Sequence, residues 1–206
     1  MASGDYKSRY VLGIILILSM VASCSGIPIL KVNYHMPLAR PDGIREKSVF
    51  LVVVDERPTK GFLGPAAASD FERVSSDLSF SLTKDNEDAV TIGIYDPRSL
   101  FMEAFKRRLE ELGVQVAPER QAGLIVLVIA LKEFKLDLID RKWMAKISYE
   151  AKVEKDGRVL YRYDFQGEGE RLKLVGTSQA DLLMSDIFTD VLNRFDLKKV
   201  FSERIQ

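Results

Sequence analysis

The sequence predicts an α+β protein: one domain with a mixed, mostly antiparallel sheet and two main helices packed on it, preceded by a signal peptide and an extended tether. Three observations predict it. After an apolar run from Leu124 to Leu131, apolar and polar residues alternate from Phe134 to Phe165 over stretches separated by polar turn signals, the pattern of an antiparallel meander. Two segments, 97–112 and 178–195, instead repeat their apolar residues every three or four positions, as a helix with one buried side does. Strand-like runs precede the first of these helices, so the chain order is strands, helix, meander, helix, which segregates the two kinds of element.

The chain opens with Lys7 and Arg9, then an apolar run from Tyr10 to Ala22, then small residues before Cys24, the build of an export signal. A bilayer crossing needs about 20 apolar residues and this run is shorter, so cleavage is predicted. Val21-Ala22-Ser23-Cys24 has the form of a bacterial lipobox, which predicts cleavage before Cys24 and a diacylglyceryl group on its thiol. An uncleaved short anchor and an ordinary secretory signal are the alternatives. Several acyl chains on one residue hold a protein at a membrane where a single chain does so only marginally. Ser25, rather than an Asp, follows the cysteine, and this points to the periplasmic face of the outer membrane. The expected divisions are a signal peptide over 1–23, a lipidated tether over 24–47 and a globular domain over 48–206. Within the tether, Gly26, Pro28, Pro37, Pro41 and Gly43 interrupt any periodicity.

Cys24 is the only cysteine, so the folded part has no disulfide and depends on packing. Basic and acidic residues number 30 each, and removal of Lys7, Arg9 and Asp5 with the signal leaves 28 and 29, a net charge of −1. That balance argues against nucleic acid as a partner.

Val49 to Val54 is a continuous β-branched and apolar run, read as a central strand covered on both faces. Asp55-Glu56-Arg57-Pro58 stops it, and a loop follows over 61–68. Leu78, Phe80 and Leu82, then Val90, Ile92 and Ile94, alternate with polar or small residues and predict two half-buried strands. Asp96 before Pro97 supplies an N-cap and a first helical position, and Gly113 a stop, with Phe101, Phe105, Leu109 and Leu112 on the buried side. Leu124 to Ile139 and Trp143 to Glu154 form a hairpin closed by Asp140-Arg141-Lys142. Lys155-Asp156-Gly157 turns the chain into Val159, Tyr161, Tyr163 and Phe165. Ser178 begins the second main helix, whose buried stripe is Leu182, Ile187, Val191 and Phe195, and 197–205 reads as a short terminal helix.

Enzymatic constellations are weak. His35, the only histidine, falls in the expected tether, far from the partners that a catalytic triad or metal site needs. Asp137 with Asp140, and Glu110 with Glu111, read as solvated surface, because adjacent helical positions do not face each other. Gly167-Glu168-Gly169 lacks the third glycine of a dinucleotide fingerprint and reads as a strand-end turn or bulge. Lys106-Arg107-Arg108 reads as a solvated helix face. Asp55 and Arg57, at the exit of the buried strand, are the candidate binding or loop-locking residues, and the ion pair that locks the loop is the favoured reading. The aromatic ladder Trp143, Tyr149, Tyr161, Tyr163 and Phe165 reads as core or cross-strand pairs rather than a ligand groove. No enzyme activity, cofactor or metal is expected.

In its order of features the chain resembles the YajG-type family of bacterial lipoproteins: a lipobox, a first strand ending in Asp55 and Arg57, Ala89-Val90-Thr91-Ile92 before the helix stopped by Gly113, the ladder at 124–165 and the helix at 178–195. It is also similar in layout to auxiliary lipoproteins of lipid-handling ABC transporters. The first resemblance implies a membrane-anchored envelope protein, with Cys24 as the lipidated residue. The expected function is a non-enzymatic binding or envelope-assembly module whose partner is an envelope protein or lipid. The alternative is an accessory lipoprotein of an ABC transport system, which an apolar groove between helix and sheet would favour.

Overall fold

A computed structural model of the protein describes residues 29–38, 47–71, 77–85 and 87–203. Cys24 and the signal segment lie outside them. The architecture is α+β, built from two sheets that share one core.

The larger sheet has the strand order β5-β2-β6-β7-β8, with β2 at Ser48–Asp55, β5 at Gln115–Val116, β6 at Ile125–Ile139, β7 at Lys142–Lys155 and β8 at Arg158–Leu172. β6, β7 and β8 are the expected antiparallel meander, and β2 joins β6 in parallel register, Val49 opposite Ile125. Both hairpins close through two residues in the left-handed region: Asp140 and Arg141 at φ 48° and 61°, Asp156 and Gly157 at φ 51° and 77°. Two positive-φ centres match the twist of the strands they connect, which is why these turns set the register of the ladder.

Central placement of β2 holds, but it is covered on one face only. Val49, Leu51 and Val53 point into the core, whereas Phe50, Val52 and Val54 face outward and stay partly exposed. A continuous apolar run therefore does not mean two fully buried faces here.

A second sheet, order β1-β3-β4, contains β1 at Lys31–Met36, β3 at Leu78–Lys84 and β4 at Val90–Tyr95. β1 corrects the expected tether over 24–47. Leu30, Val32, Tyr34 and Met36 are buried on one side and Lys31 and His35 face solvent, a period of two that the flanking prolines obscure in the sequence. The folded part thus starts before Ser48. β1 runs parallel to β3, Lys31 opposite Ser79, so it is a non-local addition and not a continuation of a hairpin.

Four helices complete the described residues: α1 at Pro65–Ala68, α2 at Pro97–Glu111, α3 at Ser178–Asn193 and α4 at Leu197–Glu203. Asp96 caps α2 as expected: its Oδ1 accepts from the N–H groups of Arg98 at 2.8 Å and Ser99 at 3.1 Å. Gly113 follows at φ 79°. In α3, Ile187 and Val191 are buried and Phe195 just beyond it is too, but Leu182 faces solvent. α3 lies directly on β8 at Gly167 and Gly169. A Cβ at Gly167 would sit 2.5 Å from Val191 Cγ1, and one at Gly169 3.3 Å from Leu183 Cδ1. These glycines are thus mid-strand seats for a helix, not the strand-end turn that the sequence suggests.

Aromatic rings tie the two sheets together. Phe101 of α2 meets Phe134 and Tyr149 of the larger sheet, and packs edge-on against Phe188 of α3 at 5.3 Å and 90°. Phe188 in turn meets Tyr34 and Phe80 of the smaller sheet. Each such pair adds about 0.5–1.5 kcal/mol beyond the area it buries. Trp143 and Tyr149 are core residues as expected, with Tyr161, Tyr163 and Phe165 packed at the margin.

Candidate functional site

β2 ends by presenting a carboxylate and, two residues later, a guanidinium folded back on it. Asp55 Oδ1 accepts from Arg57 Nε at 2.9 Å and from the Arg57 backbone N–H at 3.2 Å, while Oδ2 accepts from Nη2 at 3.0 Å. Lys60 Nζ donates to the Asp55 carbonyl and lies 3.0 Å from Oδ2. The Arg57 side chain is 5% exposed and that of Asp55 13%. Hydrogen bonds from the Arg57 side chain hold the Asp55 carboxyl well below the usual carboxylate range, against the opposing effect of burial. Arg57 Nη1 is buried without a hydrogen-bond partner. The group closes a loop: the Glu56 N–H donates to Leu131 O at 2.9 Å, extending the β2–β6 pairing just as the chain turns away. Chemically it is a lock, since every oxygen of Asp55 is engaged by the residues beside it.

The other polar groups that the fold draws inward also hold elements together. Arg108 is buried, not part of a solvated run. It donates through Nη1 to Leu192 O and through Nη2 to Phe195 O at 2.9 Å, and so satisfies the carbonyls at the end of α3. Tyr149 donates to Val191 O at 3.0 Å and Tyr34 to Asn193 Oδ1 at 2.8 Å; burial pushes both phenols up. Asp137 is half-buried rather than solvated, and its Oδ1 accepts from the Leu138 N–H at 2.8 Å and the Ala67 N–H at 3.3 Å, fastening α1 to β6. Glu110 and Glu111 pair separately with Lys106 and Lys84. His35 lies on β1, its Nε2 3.2 Å from Asn33 Nδ2. Among the described residues, no three His, Cys, Asp or Glu side chains gather as metal ligands would.

Sequence reasoning missed how the edge of β1 is closed. The backbone N–H groups of Lys31, Asn33 and His35 donate to Asp181 Oδ1, Ser185 Oγ and Thr189 Oγ1 of α3 at 2.9, 2.9 and 3.1 Å. Asn193 Nδ2 donates to His35 O at 3.0 Å. Acceptors spaced four apart on one helix face were the available signal, hidden because they only become meaningful once a strand lies alongside. β4, at the other edge, presents the uncharged run Val90 to Tyr95, with Val90 and Ile94 exposed.

Two surfaces remain. On the outward face of the larger sheet, Phe50, Val52 and Val54 stand opposite Val126, Val128 and Ala130, beside the paired charges Glu150, Lys152 and Arg162 on β7 and β8. A depression of about 590 Å³ lies between the end of β1 and the C-terminal ends of α2 and α3, with Leu38, Arg108, Glu111 and Arg194 among its walls. Its charges are mixed and Arg108 is already committed to carbonyls, so it carries no defined ligand chemistry.

No family profile and no curated protein matches the chain in sequence. Among solved structures, a Xanthomonas campestris protein of the DUF330 family is similar over 84% of this chain and 95% of its own, at 14% identity and a TM-score of 0.52. Rare lipoprotein B from Shewanella oneidensis aligns over 75% of this chain and 97% of its own, at 8% identity and a TM-score of 0.42. A minor lipoprotein from Acinetobacter baumannii aligns over 77% and 95%, at 11% identity and 0.41. What the chain has in common with the Xanthomonas protein is its fold, the two-sheet α+β arrangement described above.

Proposed function

We propose that this protein is a lipid-anchored module of the bacterial envelope, held at the outer membrane by Cys24, that binds another envelope component without catalysis. The observation that carries the binding role is the apolar strip of half-buried Phe50, Val52 and Val128 and exposed Val54 on the outward sheet face, where Val126 and Ala130 are already covered. It sits in a chain where Asp55, Arg57, Arg108, Tyr34 and Tyr149 make hydrogen bonds that hold elements together. A strip of this kind fits an apolar or extended segment of a partner protein. The lipobox and the layout resembling YajG-type lipoproteins support the anchoring. The accessory-lipoprotein alternative called for an apolar groove between helix and sheet, and at Gly167 and Gly169 α3 leaves no such space.

The test is photocrosslinking in cells from positions 52 and 54, with position 159 as a control, followed by mass spectrometry of the complex and of Cys24. Capture of one envelope protein from 52 and 54 alone supports the reading. Capture of a transporter subunit replaces it with the accessory role, and equal labelling from all three positions removes the strip as a binding surface.

A further inference from the structure

One end of the molecule gathers exposed apolar side chains that no packing argument explains. Val175 is 96% exposed, Leu174 59% and Leu172 56%, all at the junction between β8 and α3; Ile139, at the tip of the β6–β7 hairpin, is 53% exposed, and Leu182 in α3 48%. The two loops are joined, because the Lys173 N–H donates to Arg141 O at 2.9 Å. The charges beside them are matched: Lys142 with Glu170, Arg171 with Asp186 and Lys173 with Asp70. Such a tip is neither a basic patch nor a solvated loop; it is an apolar projection with a neutral collar.

The position of the N-terminal strand says what this end meets. The Lys31 N–H donates to Asp181 in the first turn of α3, and β1 then runs along α3 toward Asn193. The chain therefore enters the fold beside the loop that carries Leu174 and Val175. Leu30 is only six residue steps from Cys24. At about 3.3–3.6 Å per residue they span at most roughly 20 Å, a few times the thickness of one headgroup layer. A lipid on Cys24 keeps this end, and not the end at Asp156 and Gly157, next to the bilayer. β8 is 15 residues long, so at about 3.3 Å each the two ends of the sheet stand roughly 45–50 Å apart.

We propose that the tip formed by Ile139, Leu172, Leu174 and Val175 inserts into the bilayer interface beside the acylated Cys24, a second apolar anchor that sets the long strands upright on the membrane. This rests on the lipoprotein reading of Cys24. Apolar residues at the headgroup boundary add to an acyl anchor in proportion to the area they bury. Because the collar is charge-matched, the contact is independent of anionic lipid and persists at about 1 M salt, where screening removes exposed electrostatic attraction.

The experiment uses the full chain, purified from its native membrane and reconstituted in phosphatidylethanolamine and phosphatidylglycerol vesicles. Acylation blocks Cys24, so Val175→Cys and Val159→Cys each offer a single site for a nitroxide label, both at exposed positions. Collision of the label with oxygen, enriched in lipid, is compared with collision with a water-soluble nickel chelate. The expected result is an oxygen-to-nickel ratio roughly tenfold higher at 175 than at 159, as for a group below the headgroups. Equal ratios overturn the proposal, and so does a label at 175 shielded from both quenchers, which marks a protein contact. The unsubstituted chain reports separately on Cys24: if it takes up the label, the cysteine is free and the lipoprotein reading itself has failed; if it does not, any failure belongs to the tip.

Discussion

Replacing Asp55 with alanine leaves the Arg57 guanidinium buried with its carboxylate gone. Three donors then lose their acceptor, Nε, Nη2 and the Arg57 backbone N–H. Breaking a buried ion pair by removing one partner costs about 3–5 kcal/mol. Asp55 is 13% exposed and the loop beyond it can admit water, so the lower end applies, about 3 kcal/mol. With a urea m-value of about 2 kcal/mol/M, that moves the unfolding midpoint down by about 1.5 M. The assay is urea unfolding followed by circular dichroism, with the m-value checked for constancy. Arg57→Met in the Asp55→Ala background removes the stranded charge, and the double variant is expected to recover at least about 1 kcal/mol relative to additivity. The pH dependence has a fixed sign. The folded carboxyl titrates below its unfolded value of about 3.9, so the unfolded state binds the proton first, and the stabilisation is complete above that value and is lost as pH falls below it. Asp55→Ala flattens that acid limb. A midpoint within about 0.2 M of the parent, or strict additivity in the double variant, would refute the lock.

Gly167→Ala drives a Cβ into Val191 Cγ1 and Ile187 Cγ2, and α3 must move; an overpacking cost of about 1–3 kcal/mol is expected, against a smaller one for Gly169→Ala, read by thermal unfolding. Arg108→Ala uncaps Leu192 O and Phe195 O and is expected to cost about 2–4 kcal/mol, with early loss of amide-exchange protection in the last turn of α3. Asp181→Ala removes the acceptor for the Lys31 N–H and is expected to cost about 1 kcal/mol at neutral pH. Asp181→Asn keeps an acceptor and sheds a charge that burial disfavours, so it is expected to be neutral or stabilising; a loss equal to that of the alanine variant would contradict this.

The meander, its two turns and the capped helix α2 were legible because each is a local pattern: alternation, a pair of turn residues, an Asp before a Pro. The pairing of Asp55 with Arg57 was legible for the same reason, since two residues of separation suffice to form it. β1 was not, because its partners lie about 50 residues away in β3 and about 150 away in α3, and no local rule connects Asn33 with Ser185. Arg108 was misplaced because a basic triplet carries no record of which member faces the C-terminal end of another helix. Gly167 and Gly169 were misread because a glycine that admits a helix and one that ends a strand look alike in sequence. At the candidate surface, the outward apolar face of β2 was visible as composition, but its exposure depended on where the helices chose to pack.

The seal between β1 and α3 works as a vernier. Four residues of helix advance about 6.0 Å, while two residues of strand advance about 6.6 Å. The two rulings therefore drift by roughly 0.6 Å at each successive bond, comparable to the whole tolerance of an N–H···O distance. Three bonds straddling the point of coincidence, at Lys31, Asn33 and His35, are about as many as the drift permits. The next donor in the series would come from position 37, where Pro37 has no N–H, so the series stops as the two rulings part, and Asn193 reaches back to the His35 carbonyl instead.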